Sequence, residues 1–155
     1  MLALSATRAA PQLSVVRMRA AAREMKMNDY EREDVHYSLW GKRFFPSRLR
    51  VSGHVQITGA NDPGDIGETG RYRGKPTPYG ACEVRCTVKG RKKIAYLARH
   101  LTKHLAHYRA QHASDVVYWI LWRGTQGNME LTVNELARLA ETRVPVAMDY
   151  IHMEE

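Results

Sequence analysis

Three histidines recur at steps of four and three residues, His100, His104 and His107. A helical pair four residues apart can bring two imidazoles to one metal ion. No glutamate completes a zinc-protease motif, the sequence fixes no third ligand, and Arg99 and Lys103 add positive charge beside the pair. The alternative is a solvated helix face that takes up protons below about pH 6.5. We expect no metal and no other cofactor, and His100 and His104 are weak metal candidates.

A glycine-rich loop carries three cations around a tyrosine. Arg71, Arg73 and Lys75 alternate around Tyr72. A Walker phosphate loop is excluded, because Thr69 stands at its first glycine and a proline follows Lys75. With the backbone amides of neighbouring glycines, the three cations suit a phosphate backbone or a partner rich in carboxylates. The alternative is a mobile surface loop.

Groups for nucleophilic or acid–base catalysis are scattered along the chain. Ser47, Ser52 and Ser114 lack the G-x-S-x-G setting of a nucleophile elbow. The paired acids Asp62 and Asp65 fall in the glycine-rich loop rather than in a rigid element. We therefore expect a protein without enzymatic activity.

The element that must position most of these residues is a predicted helix over residues 91–112. Its apolar residues recur at steps of three and four and form one stripe: Ile94, Leu97, Ala98, Leu101, Leu105 and Tyr108. The remaining faces carry basic residues, among them Lys92, Arg99 and Lys103. Because the flanking segments have the pattern of strands, this helix should lie across a sheet.

Five strands are predicted, at residues 35–41, 54–58, 81–89, 115–123 and 144–153. The run 115–123 is almost continuously apolar, which predicts a central strand buried on both faces. Pro145 predicts an edge position for the last strand. Cys82 and Cys86 share one strand face too far apart for a disulfide, so we expect reduced, buried thiols.

Two shorter helical segments complete the predicted elements. Pro46 opens a helical turn over residues 47–51. Thr132 and Glu135 form a capping box for a helix over 133–141. The side of that helix expected to be buried consists of Leu136, Leu139 and Ala140.

The element order β-α-β-β-α-β-α-β defines the expected fold. Its first six elements match the ferredoxin-like order βαββαβ, followed by an extra helix and strand. We predict a single α+β domain over residues 28–155, with a mixed or antiparallel sheet and one long helix packed across it. A loop over residues 59–80, with six glycines and three prolines, interrupts it.

Residues 1–27 are predicted to be a basic leader outside the core. Residues 1–24 hold four arginines and no acid before Glu24, as in a mitochondrial presequence. They also fit a mis-assigned start, with translation beginning at Met25 or Met27. We expect a cytoplasmic protein, or a mitochondrial-matrix protein if the leader is a presequence.

The pair Trp40-Gly41, the stretch FPSRL at 45–49 and the closing LTVNELARLAETRVPVAMDYI resemble a bacterial and phage family of domains of unknown function, family 4279, over residues 35–152. The loop GETGRYRGKPTPYG departs from that family, being longer and richer in glycine. The resemblance implies an α+β domain with no established activity. Some such domains occur near toxin genes and look like immunity proteins, which implies a protein-binding role. It also favours the mis-assigned start.

The net charge of +8 is concentrated in the middle of the chain, where residues 71–112 hold eleven Lys and Arg against one acid. This predicts an acidic partner. Our hypothesis is a non-enzymatic binding module for an acidic protein, of immunity or inhibitor type, and the alternative is a nucleic-acid-binding protein using the same residues. The predicted partner-binding residues are Arg71, Tyr72, Arg73, Lys75, Tyr79, Lys92, Arg99 and Lys103. We expect no membrane association, and the oligomeric state is open.

Overall fold

The computed structural model describes residues 33–124 and 130–152. The five strands are β1 (Glu33–Gly41), β2 (Val55–Asn61), β3 (Gly80–Cys86), β4 (Asp115–Gly124) and β5 (Val146–His152). The two helices are α1 (Lys93–Ala110) and α2 (Val133–Thr142). The leader predicted over residues 1–27 lies outside the described residues.

The strands form one sheet in the order β2-β3-β1-β4-β5. The pairs β2–β3, β3–β1 and β1–β4 are antiparallel, and β4–β5 is parallel. The prediction of an α+β domain with a mixed sheet is therefore confirmed. No helix in the described ranges is both long and apolar enough to cross a bilayer.

The ferredoxin-like order with an added helix and strand is wrong. The segment after β1 forms only a 3-10 turn, Pro46–Arg48, where the prediction placed a longer helical turn over residues 47–51. A single 3-10 turn is not a helix, so the first helix of the order βαββαβ is missing. Strand β1 lies at the centre of the sheet and pairs antiparallel with both of its neighbours.

The core lies between α1 and one face of the sheet. The predicted apolar stripe is confirmed over most of its length: Ile94, Leu97, Ala98, Leu101 and Tyr108 are buried. The sheet side chains that meet it include Tyr37, Leu39 and Tyr118, each 0% exposed. The prediction that α1 lies across the sheet is therefore correct.

The prediction that residues 115–123 form an interior strand is confirmed, because β4 pairs with β1 on one side and with β5 on the other, but the predicted burial on both faces is wrong. Strand β4 lies second from the edge, and only one of its faces is buried, by Val116, Tyr118, Ile120 and Trp122. Its other face carries Val117, Trp119 and Leu121, which are half-buried. Both helices lie on the buried side of the sheet. The opposite side, here called the open face, has no helix over it among the described residues.

Helix α2 begins with the predicted capping box, in which Thr132 and Glu135 bond each other's backbone N–H. Its buried side is only partly as predicted. Leu139 is buried, but Leu136 is 51% exposed and Ala140 is exposed, because the side of α2 that packs on α1 carries Glu135, Leu139 and Thr142. Strand β5 is an edge strand, as Pro145 predicted.

Candidate binding cleft

A cleft opens at the end of the sheet where β1 stops and β4 begins. It encloses about 780 Å³. Its aromatic and ionisable lining residues are Trp40, Lys42, Arg43, Tyr79, Arg109, His112 and Asp115. Trp40 and Tyr79 are half-buried, and the other five are exposed. The cleft thus combines a partly dry aromatic wall with three permanent cations and one carboxylate.

The end of helix α1 supplies the cleft's far side. The N–H of Ala113 donates to the carbonyl of Tyr108 at 3.1 Å and the N–H of His112 to that of Arg109 at 2.9 Å. His112 takes a left-handed conformation, with φ of 68°. This is a helix-ending turn that more often uses glycine or asparagine. It directs the chain into Ser114 and β4, and it leaves Arg109 at the helix C-terminus, where the helix dipole favours a cation.

The other wall is held by the glycine-rich loop. Asn61 donates to the carbonyl of Tyr79 at 2.9 Å, and the ring of Tyr72 meets the ring of Tyr79 edge-on, with centroids 5.9 Å apart. The Arg71 guanidinium lies 5.7 Å from the centre of the Tyr72 ring. Two residues of the predicted site, Tyr72 and Tyr79, are therefore brought into contact.

The loop itself is folded rather than an open excursion. Strand β2 extends to Asn61, and residues 62–79 contain two isolated bridges, Ile66–Pro76 (antiparallel) and Gly67–Arg73 (parallel), with a 3-10 turn at Gly70–Tyr72. Backbone bonds cross it, from Gly64 to Thr77 at 2.8 Å and from Gly67 to Lys75 at 2.9 Å. The segment thus has backbone hydrogen bonds and bridges of its own.

The predicted partner-binding residues do not form one compact patch. Arg71, Arg73 and Lys75 are exposed on the loop, and Lys92, Arg99 and Lys103 are exposed along α1. The strand register places the loop at the C-terminal end of α1, whereas Lys92 precedes its first turn. An 18-residue helix is about 27 Å long, so Lys92 and the loop lie far apart. Of the predicted set, only Tyr79 lines the cleft.

The predicted partner-binding set does not include Lys42, Arg43, Arg109 or Trp40. The pair Lys42-Arg43 directly follows a strand that ends in Trp40-Gly41, and this was a usable local signal. Arg109 stood out only as one cation of the basic helix, because the packing of α1 on the sheet is what brings its last turn to the end of β1.

The weak metal candidate His100 is part of a buried hydrogen-bond chain. Its Nε2 lies 2.9 Å from the carbonyl of Ser52, which can only accept, so Nε2 carries the proton. Its Nδ1 then accepts from Tyr37 at 3.1 Å, and Tyr37 accepts from Tyr108 at 2.8 Å. Both ring nitrogens of His100 are thereby engaged by protein atoms. In the described ranges, no three His, Cys, Asp or Glu side chains are grouped to hold a metal ion.

Burial controls the protonation of this chain. It lowers the pKa of His100 below the ordinary histidine value, against the bond to Ser52, and Lys103 lowers that pKa further. Burial also lowers the pKa of His104, and it raises the pKa of Tyr37 and of Tyr108. The expectation of a solvated histidine face therefore fails at His100, which is buried.

No family model matches the chain, and neither the curated proteins nor the solved structures compared with it include a similar one. The resemblance to family 4279 therefore stays a prediction.

Proposed function

We propose that this protein is a non-enzymatic binding module that holds a carboxylate-bearing segment of a protein partner in the cleft. The observation that carries the proposal is the grouping of Lys42, Arg43 and Arg109 against a single acid, Asp115, around two half-buried aromatic rings. Guanidinium groups pair with carboxylates through two parallel hydrogen bonds. Trp40 and Tyr79 would supply contact area from which water is excluded, and ion pairs beside such an area contribute more to the binding affinity.

The surroundings of the cleft favour a short acidic segment over a nucleic-acid strand. Beyond Tyr79 lies a second hollow of about 610 Å³, and its lining includes Asp65 and Glu68. The open face next to the cleft carries Glu83. A strand of phosphates needs a continuous positive track, and these carboxylates interrupt one. A peptide with one or two acidic side chains or a free C-terminus needs only the cleft.

The finer role that fits this module is that of an immunity or inhibitor protein in bacterial or phage conflict. It is supported by the resemblance noted above and by the charge of the cleft. An exposed rim of cations speeds encounter with an acidic partner, and the aromatic wall then slows dissociation.

Nucleic-acid binding is the second candidate, and the aromatic pair beside three cations favours it. Bases can stack on Trp40 or Tyr79 while phosphates meet Arg43 or Arg109. This candidate requires that affinity for random-sequence DNA or RNA falls log-linearly with salt concentration.

Two charge-reversed variants of the full chain test the proposal. One carries Lys42→Glu, Arg43→Glu and Arg109→Glu in the cleft. The other carries Lys92→Glu, Arg99→Glu and Lys103→Glu on α1, and it changes the net charge by the same amount. The probe is a fluorescein-labelled hexaglutamate peptide, titrated at low salt.

We expect the cleft variant to lose at least about tenfold in affinity and the α1 variant to lose much less, since a close ion pair outweighs a distant one. Equal losses would mean that only net charge matters, and no binding by the unsubstituted protein would overturn the proposal. Tight, salt-sensitive binding of random-sequence RNA or DNA, lost in the cleft variant, would favour the second candidate. Circular dichroism and thermal unfolding confirm that both variants fold.

A further inference from the structure

A second pocket, on the open face, goes beyond this proposed function. It encloses about 460 Å³ and shares Trp40 and Tyr79 with the basic cleft. Three aromatic side chains wall it, Trp40, Tyr79 and Trp119. Its lining also includes the small residues Ser38 and Ala81 and one carboxylate, Glu83.

The strand register explains why a hollow forms here. Ser38 at the centre of β1 lies opposite Glu83 of β3 and Val117 of β4. One pleat further along β1, Trp40 lies opposite Ala81. Residues paired in this way share a sheet face. The small side chains of Ser38 and Ala81 therefore leave a depression between large neighbours.

The carboxylate is fixed in place by its own neighbours. Arg85 donates to Glu83 Oε2 from Nη2 at 2.6 Å and from Nε at 3.1 Å, and it also pairs with Asp34. Glu83 Oε1 lies 3.9 Å from His36 Nε2, beyond hydrogen-bond distance. Two carboxylates against one guanidinium leave this cluster with one net negative charge while His36 is neutral.

The wall nearest this cluster is also held in position. The rings of His36 and Trp119 stack with centroids 6.2 Å apart and an angle of 15° between their planes. Burial lowers the pKa of His36, opposed by Glu83 and aided by Arg85. The imidazole therefore adds no positive charge beside the pocket near neutral pH.

Aromatic rings around a hollow beside a fixed carboxylate attract a cation. The ring faces carry the negative lobe of the quadrupole, and a desolvated cation near them gains more than a neutral group of the same shape. A methylated ammonium suits this pocket better than a primary one, because it carries fewer N–H donors that need acceptors. We propose that the pocket formed by Trp40, Tyr79, Trp119 and Glu83 binds a quaternary ammonium group.

Such a group can come from a small molecule or from a trimethylated lysine in a protein. The probes are therefore choline and a short peptide that carries one trimethyllysine. Each has a neutral or unmethylated counterpart, 3,3-dimethylbutan-1-ol for choline and the unmodified lysine peptide for the other. Trp40 and Trp119 report binding by their fluorescence, since the third tryptophan, Trp122, is 5% exposed on the opposite face of the sheet.

We expect choline or the trimethyllysine peptide to change the fluorescence saturably, with its counterpart about tenfold weaker. Glu83→Gln should weaken binding of the cation and leave the neutral alcohol unchanged. Because Glu83→Gln also loosens Arg85, a second pair of variants is needed. Trp119→Phe keeps a ring face and should retain most of the affinity, whereas Trp119→Leu should lose it, with thermal unfolding confirming that each folds.

Equal binding of choline and its neutral alcohol, or no binding of either cation by the unsubstituted chain, would overturn this inference. Its failure is distinct from failure of the proposed function. Arg109→Gln should weaken hexaglutamate binding and leave the affinity for the quaternary ammonium probe unchanged. Trp119→Leu should weaken binding of the quaternary ammonium probe and leave hexaglutamate binding unchanged.

Discussion

Gly41 and Gly80 are paired across β1 and β3, and a backbone carbonyl from another part of the chain packs closely against each of them. A Cβ on Gly41 would overlap the carbonyl oxygen of His112, and one on Gly80 would overlap that of Phe44. The missing side chains thus let the end of α1 and the turn after β1 close onto the end of the sheet. This contact brings Arg109 and Lys42 to the same cleft.

Replacing either glycine should therefore damage stability and the cleft together. Gly41→Ala and Gly80→Ala should each lower the free energy of unfolding by about 3 kcal/mol, the upper end for overpacking, because the neighbours are backbone atoms. Gly74→Ala is the matched control. It has φ of 71° and no atom within 4 Å of the added Cβ, so it should cost only about 1 kcal/mol. Urea unfolding measures all three, and equal losses would contradict the close-packing account.

The chain Tyr108–Tyr37–His100 predicts an order among conservative substitutions. Tyr37→Phe leaves both the Tyr108 hydroxyl and His100 Nδ1 without this hydrogen-bond partner. It should lower the free energy of unfolding by about 2–3 kcal/mol. Tyr108→Phe leaves Tyr37 still donating to His100, and should cost about 1 kcal/mol. Chemical denaturation of the two variants gives the comparison. A larger loss from Tyr108→Phe than from Tyr37→Phe would contradict this hydrogen-bond chain.

The lowered pKa of His100 predicts a loss of stability on mild acidification. The unfolded chain takes up a proton on this histidine near pH 6.5, whereas the folded chain resists it. The unfolded state then binds more protons, so the free energy of unfolding should fall as pH drops from 7.5 to 5.5. His36 and His104 act in the same direction.

His100→Gln should flatten this dependence, although it lowers stability at pH 7.5. His107→Gln, an exposed histidine of the same helix, is the matched control. Thermal unfolding at four pH values measures both slopes. A slope in His100→Gln as steep as in the unsubstituted protein would assign the effect to other groups.

Asn61 links the loop to the cleft through its bond to the Tyr79 carbonyl. Asn61→Ala should remove the hydrogen bond that holds Tyr79 in position and weaken hexaglutamate binding several-fold. The reason is that ordering Tyr79 on binding would then cost free energy. Gln56→Ala, an exposed residue of the same strand, should change neither binding nor stability. Fluorescence anisotropy measures the binding. Unchanged affinity in Asn61→Ala, with a lowered melting temperature, would remove Tyr79 from the binding surface.

The correct fold predictions rested on local signals. The stripe from Ile94 to Leu101 identified α1, and Thr132 with Glu135 identified the start of α2, because each pattern repeats within a few residues. The ferredoxin-like order failed because Pro46 signals the start of a helical turn without signalling its length. Strand β4 was misjudged for a related reason, since an apolar run does not reveal that a helix covers only one side of it.

The cleft was beyond prediction for a different reason. Its cations come from the turn after β1 and from the last turn of α1, and only the sheet register brings them together. The charge of residues 71–112 indicated a basic surface, but it did not show whether the loop or the exposed face of α1 would bind a partner. Trp40 and Trp119 likewise belong to separate strands, so their shared pocket has no signature along the chain.

The most direct test of the central claim is an NMR titration of the ¹⁵N-labelled full chain with hexaglutamate. The account predicts that the indole N–H of Trp40 and the amides of Lys42, Arg43 and Arg109 shift together, with one saturable affinity. The amides of Lys92, Arg99 and Lys103 should move little. Shifts centred on Lys92, Arg99 and Lys103 and absent from the cleft residues would contradict the account. Small shifts at basic residues all over the surface that never saturate would also contradict it.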